Sequence, residues 1–395
     1  MRTSRDVATA SAGSPTLSAL ALAAGLVALP AVTHAAMEAP EDPSSYEVWA
    51  LDQGTDTIHI YDRDHEPVDR IDVGQHGVEV PHMIAFNSTH DYAVIASTGS
   101  GDVTIIRTED REIIDIIETG PRTHMASFLP DDEAILVDVI GSPDEQWDGE
   151  VVEITADLEA EQFSADAGRS LVIAEDARFR EHQEAFSDSG PICHEYGPGG
   201  RHAFITLGPP LEDGGLVVLN TETFELDHVV GPDELPVNCG TVPTADRSRM
   251  LLTGGSGDAG HWYVLDTETF EAGPQRDSRG LDAHGAWLTA DGGSFFLVNR
   301  VSDDGIIIDA ETFEVTGEFD ELGGTPDIMA VSPFNDYVYV SLRGPNPKSA
   351  AHVAEGDTPG FSVLSVEDGS LVDVIQPDEG NPDSDFHALG VRYIR

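Results

Sequence analysis

From Tyr46 onward the chain alternates short apolar runs with polar turns, and the alternation repeats. The clearest unit spans residues 81–120. It reads PHMIAF, the turn NSTHD, YAVIAST, the tight turn GSGD, VTIIRT and REIIDIIETG. Short runs rich in Val, Ile, Phe and Tyr, bounded by Gly, Asp, Ser and Asn, predict strands. No long pattern of period 3.6 interrupts them. Four strands in about 40 residues is the unit of a β-propeller blade.

Seven segments match at the start of the first strand of each unit, anchored at His82, His124, His194, Cys239, His284, Asp327 and His387. Their spacings are 42, 70, 45, 45, 43 and 60 residues. Two blades therefore carry insertions, near DARFREHQEAFSDSGPI (176–192) and in the loop Arg343 to Gly360. The ends are complementary. The repeat region opens on a second strand, YEVWALD, and finishes on a lone first strand, DFHALGVRYI. Joining them in one sheet removes an open edge and closes the ring. The prediction is an all-β, seven-bladed propeller of four-stranded blades over residues 46–395. An eighth blade would have to hide in the 70-residue interval.

Composition narrows the possible roles. There are 73 acidic against 20 basic residues, for a net charge of −53, and the only lysine is Lys348. Hydrophobic residues make up 40%, which is enough for a folded core. A basic footprint for nucleic acid is absent. So acidic and lysine-poor a surface points to a protein adapted to strong salt, where screening relieves self-repulsion. At the N-terminus, Arg2 and Arg5 precede the apolar run LSALALAAGLVALPAV and the small-residue site Thr33-His34-Ala35. This predicts a secretory signal over 1–36, a flexible lead-in over 37–45, and a secreted or periplasmic mature chain without a membrane span.

Five of the fifteen histidines fall at the blade anchors. If the first strands line the axis, His82, His124, His194, His284 and His387 converge there, with Asp327 as a sixth ligand or supporting carboxylate. Neutral imidazole ligates zinc and copper, and three or four protein ligands make a site. Asp282 and Asp385 precede their histidines by two residues and are candidates to orient an imidazole. Cys193 and Cys239 lie at successive anchors. In a secreted chain they predict a disulfide, with Cys239 as a metal thiolate the alternative. On the long loop, His352 and Glu355 are candidates for a lid over the hub.

The segment TPDIMAVSPFNDYVYVSLRG (325–344) resembles the repeat of YVTN-type propellers, and the resemblance extends over most of the chain from Tyr46. It implies the fold and leaves the function open. Nitrous oxide reductase is similar in holding histidine-ligated copper at a seven-bladed hub, but this chain lacks a second copper domain. A shorter resemblance, carried by Cys193-His194 with a later cysteine, is to the propeller-type periplasmic zinc metallochaperones. It implies delivery of zinc to a transporter's binding protein, although the histidine-rich N-terminal stretch of that family is missing; a cell-surface protein is the other partner expected. The functional expectation is a hub that binds zinc or copper, for metal carriage or structural binding. Two alternatives are a metal-dependent oxidoreductase or hydrolase at the same hub, and a metal-free scaffold for protein or polysaccharide.

Overall fold

A computed structural model describes residues 46–208, 214–350 and 353–394. The predicted signal and lead-in lie outside these residues, as does His352. The described residues form seven antiparallel sheets. Blade 1 consists of Phe386–Tyr393, Tyr46–Asp52, Thr57–Asp62 and Pro67–Asp72, in that order. The last strand of the chain thus pairs with the first, with Tyr46 opposite Tyr393 and Trp49 opposite Gly390. This is the predicted closure.

Blade 2 runs from Pro81 to Glu118 and blade 3 from Thr123 to Val172. Blade 4 spans Gly190–Val230 and blade 5 Cys239–Asp277. Blades 6 and 7 span Ala283–Phe319 and Pro326–Ile375. The outer strand is the variable one. In blade 3 it is the three-residue Gln162–Ser164, and Ser170–Val172 also pairs with the third strand. In blade 5 it shrinks to Arg276–Asp277. Those edges are short, and the longer outer strand Pro67–Asp72 carries charges, so neither invites edge-to-edge association.

The second and third strands are buried along most of their length, as in YAVIAS (92–97), because each blade packs against two neighbours. The seams are apolar. Tyr46, Val48 and Phe386 of blade 1 meet Tyr339, Phe361 and Val363 of blade 7. Each such side chain contributes roughly 1.5–3 kcal/mol by leaving water. The insertion before blade 4 folds into short helical turns between 173 and 185, with Asp176 capping Ala177–Arg180. Its Phe179 and Phe186 are buried with Val151 of blade 3 and Leu207 of blade 4, so the insertion seals that seam. The loop Arg343 to Gly360 joins the second and third strands of blade 7, as predicted.

Candidate metal centre

Each innermost strand carries a β-bulge at its start, and the bulge aims the ring. His82 lies between Pro81 and Met83, which pair with Ser97 and Ala96, so His82 itself has no partner across the ladder. His124 is bulged in the same way between Thr123 and Met125. In blades 6, 7 and 1 the bulged residues include His284, Asp327 and His387. A bulge adds a residue to one strand and redirects its side chain, here into the hub. Left-handed residues two positions earlier, Val80, Arg122, Asp282 and Thr325, turn the backbone in four of these blades.

This register corrects one prediction. In blade 4 the bulge falls between Pro191 and Cys193, so Ile192 occupies the ring position and His194 lies two residues beyond it. His194 is fully buried between blades 3 and 4. Its Nδ1 meets Asp138 Oδ2 at 2.7 Å and its Nε2 meets Ser127 Oγ at 2.7 Å. It therefore ties two blades together and is not among the hub groups. Aligning the blades on Pro81, Pro191 and Pro326 instead of on histidine would have placed Ile192 correctly.

The remaining hub groups lie together around the axis of the ring. His124 Nδ1 donates to Ile192 O at 2.7 Å, and His387 Nδ1 donates to His82 O at 3.0 Å. His82 Nδ1 meets Gln53 Oε1 at 2.8 Å. The Gln53 amide is fixed because its Nε2 donates to Asp385 Oδ2 at 2.7 Å, and a carboxylate only accepts. His82 must then also donate from Nδ1. All three imidazoles thus carry their proton on Nδ1 and present Nε2 to the hub, a tautomer fixed by neighbouring acceptors as in metal-ligating histidines.

His82 Nε2 lies 3.0 Å from His124 Nε2. The ring of His387 stacks on that of His82 with centroids 3.6 Å apart. Burial, reinforced by the neighbouring His387 and His124, pushes the pKa of His82 well down. Burial likewise lowers His124, and it lowers His387 to about 3 against the pull of Asp327. The three rings are neutral at pH 7, with lone pairs on Nε2.

Beside them, ligand atoms of His284, Asp327 and His387 lie within 4.8 Å of one another. His284 Nε2 is 3.1 Å from Asp327 Oδ1. Burial and Arg300 oppose charge on His284, but Cys239 and Asp327 outweigh them and raise its pKa. Burial would raise the Asp327 carboxyl, yet His387, His284, Arg300 and Arg343 together hold it well below the usual range.

Asp282 and Asp385 do not touch the histidines that follow them, contrary to expectation. Asp282 Oδ2 accepts from Arg300 Nε at 2.7 Å, and Asp385 Oδ1 accepts from Arg343 Nε at 2.8 Å. Arg343 also donates to Asp327 Oδ2 at 2.6 Å. A buried chain, Asp282–Arg300–Asp327–Arg343–Asp385–Gln53–His82, therefore runs through blades 6, 7, 1 and 2. Asp385 supports His82 through Gln53 rather than supporting His387. The sequence reading missed Gln53, Arg300 and Arg343. All three immediately follow second strands ending at Asp52, Asn299 and Leu342, a shared position visible once the blades are aligned.

Cys193 and Cys239 are brought together as predicted, but as two buried thiols with Sγ atoms 3.0 Å apart. That is about 1 Å longer than a disulfide bond. The hydrogen bond from Cys193 pushes the Cys239 thiol down, helped by His284 and His124, and pushes Cys193 up.

A cavity of about 470 Å³ opens over these groups. Its wall includes His82, His124, Cys239, His284 and His387. It also includes Arg122, Arg300 and Lys348, three of the chain's 20 basic residues, and among the described residues no acidic one, although the chain has 73. Lys348 belongs to the long loop, which Asp385 pins by accepting from the Lys348 and Gly344 backbone N–H groups. The loop therefore covers the hub with Lys348, Ser349 and Ala350. Glu355 is exposed and does not line the cavity.

No family profile matches this chain, and no curated protein does. Solved structures do. Kuenenia stuttgartiensis hydrazine synthase is similar at TM-score 0.59 and 13% identity, over 79% of this chain and 95% of that one. The Myceliophteria thermophila Cps50 (Swd1) β-propeller domain is similar at TM-score 0.54 and 12% identity, over 76% and 94%. The Dos1 propeller is similar at 0.56 and 9%, over 86% and 85%. At these identities the likeness is one of fold. The chain belongs to the seven-bladed β-propellers. Among the described residues no helix is long and apolar enough to cross a membrane.

Proposed function

We propose that this protein is an extracytoplasmic propeller that binds zinc or copper at its hub. His82 and His124 supply the first two nitrogens, and His387, His284, Asp327 and Cys239 stand ready to complete the coordination. The observation that carries this reading is the 3.0 Å approach of two imidazole nitrogens that both present lone pairs. Two such nitrogens repel unless a cation lies between or beside them. Two nitrogens on one tetrahedral zinc, each about 2.0–2.1 Å from it, stand about 3.3 Å apart, so the pair needs little movement to bind. Cobalt substitution tests the geometry. A tetrahedral nitrogen-rich site gives intense visible bands, which His82→Gln should abolish. Weak octahedral bands unaffected by His82→Gln would count against the reading.

The cavity favours a second reading, in which the metal acts on a ligand rather than being only carried. Arg122, Arg300 and Lys348 on the cavity wall, with Lys348 free of the buried Arg300–Asp282 pairing, suit a small anion next to an open metal position. The probe is oxalate. Lys348→Gln, an exposed change, should weaken oxalate binding to zinc-loaded protein about tenfold. Unchanged affinity would leave carriage as the better account.

A further inference from the structure

A second group of metal-capable side chains lies apart from the hub, where the two ends of the propeller meet. Asp52 ends the first described strand, and His59 lies on the strand beside it. Asp378 belongs to the segment leading into the closing strand Phe386–Tyr393. One ligand atom from each lies within 4.8 Å of the other two. His59 pairs with Ala50 across the ladder, two residues before Asp52, so His59 and Asp52 share a face of the sheet.

Two of these groups are buried and incomplete. Asp52 is fully buried. Its Oδ1 accepts from the backbone N–H groups of Gly54 at 3.0 Å and Asp385 at 2.8 Å, while its Oδ2 has no hydrogen-bond partner. His59 is 6% exposed, and its buried Nε2 likewise has none. Leaving such atoms unpaired costs on the order of 1–3 kcal/mol each, more for a charged group. A cation held between them would give both bare atoms a partner.

We infer that Asp52, His59 and Asp378 form a second metal site, which takes a divalent ion such as zinc and fastens the N-terminal hairpin to the lead-in of the closing strand. One imidazole nitrogen and two carboxylate oxygens suit zinc or manganese, whereas calcium prefers an all-oxygen shell. Asp378 is only partly buried, so it provides the path for the ion and leaves room for water to complete the shell. Bound metal stabilises the closed ring by mass action.

The test uses the full-length chain carrying His82→Ala and His124→Ala, which disables the hub pair, after chelator treatment. Zinc titration should give about one ion per chain. The unfolding midpoint should rise about 4 °C at a hundredfold excess over Kd. Asp378→Asn lies at the surface and should fold, yet it should remove both effects, whereas calcium should produce neither. If the hub variant does not fold, Asp378→Asn in the otherwise unaltered chain should lower bound zinc by one ion per chain. A zinc-induced shift that survives Asp378→Asn and His59→Gln, or no shift at all, would overturn the assignment.

Discussion

Nε2 of His82 faces Nε2 of His124 at 3.0 Å, and both are acceptors because Gln53 accepts a hydrogen bond from Nδ1 of His82 and the Ile192 carbonyl accepts one from Nδ1 of His124. The Gln53 side chain is the adjustable half of this arrangement. Its amide is oriented by Asp385, so the proton of His82 is committed to Nδ1. Gln53→Leu removes that commitment without adding a charge. Zinc affinity, measured by competition with a chromophoric chelator, should fall about 10–100-fold, the usual effect of losing a group that orients a ligand. The fold should persist, because the hydrogen-bonded ladder of blade 1 does not involve this side chain.

Acid should weaken both the fold and the site. The pKa values of His82, His124 and His387 are lowered in the folded chain, to about 3 for His387. Below the ordinary value near 6.5 the unfolded chain therefore binds more protons. Their stabilising effect is complete above about pH 6.5 and is lost as pH falls toward 3. His284 runs the other way because its pKa is raised, and its contribution is lost as pH climbs through that raised value. Urea midpoints should drop between pH 7 and pH 5, less steeply in His387→Gln. Equal slopes in the two proteins would refute the assignment of this titration.

His194 should matter for stability and not for metal. Its imidazole is the only hydrogen-bond donor to the buried Asp138 side chain among the described residues. His194→Ala leaves that carboxylate buried without a partner, which should cost about 3–5 kcal/mol. Zinc stoichiometry of the folded fraction should remain that of the parent. Loss of metal with little loss of stability would place His194 in the hub after all.

The paired thiols make a chemical prediction. Cys239 lines the cavity, and its pKa is lowered by Cys193, while that of Cys193 is raised. After reduction at pH 7, iodoacetamide should modify Cys239 first, and bound zinc should slow the reaction. Peptide mapping by mass spectrometry distinguishes the two cysteines. Preferential labelling of Cys193 would contradict the assigned polarity.

The fold was largely legible because strand and turn signals repeat with a constant period and the two ends complement each other. PHMIAF and DFHALG read as inner strands, and they are. The histidine ring was legible in four of its five members. The fifth failed because a bulge moves side chains between faces, and the sequence around Ile192 and His194 offers two registers that differ by two residues. A histidine count favours one, while the proline that starts the strand favours the other. The supporting groups were harder to find. Asp385 acts within blade 1 on Gln53, 332 positions away, while Arg300 joins Asp282 to Asp327 and Arg343 joins Asp327 to Asp385 across blades. Such contacts follow from ring closure, which brings distant segments together without any local pattern.

The most direct measurement is elemental analysis of full-length protein purified at high salt without chelator or histidine tag, beside the His82→Ala, His124→Ala double variant. Zinc or copper should be present near stoichiometry at the hub, with one ion fewer per chain in the variant at unchanged circular dichroism. Parent and variant with the same metal content, or a parent that takes up no metal even after reconstitution, would contradict a metal-binding hub.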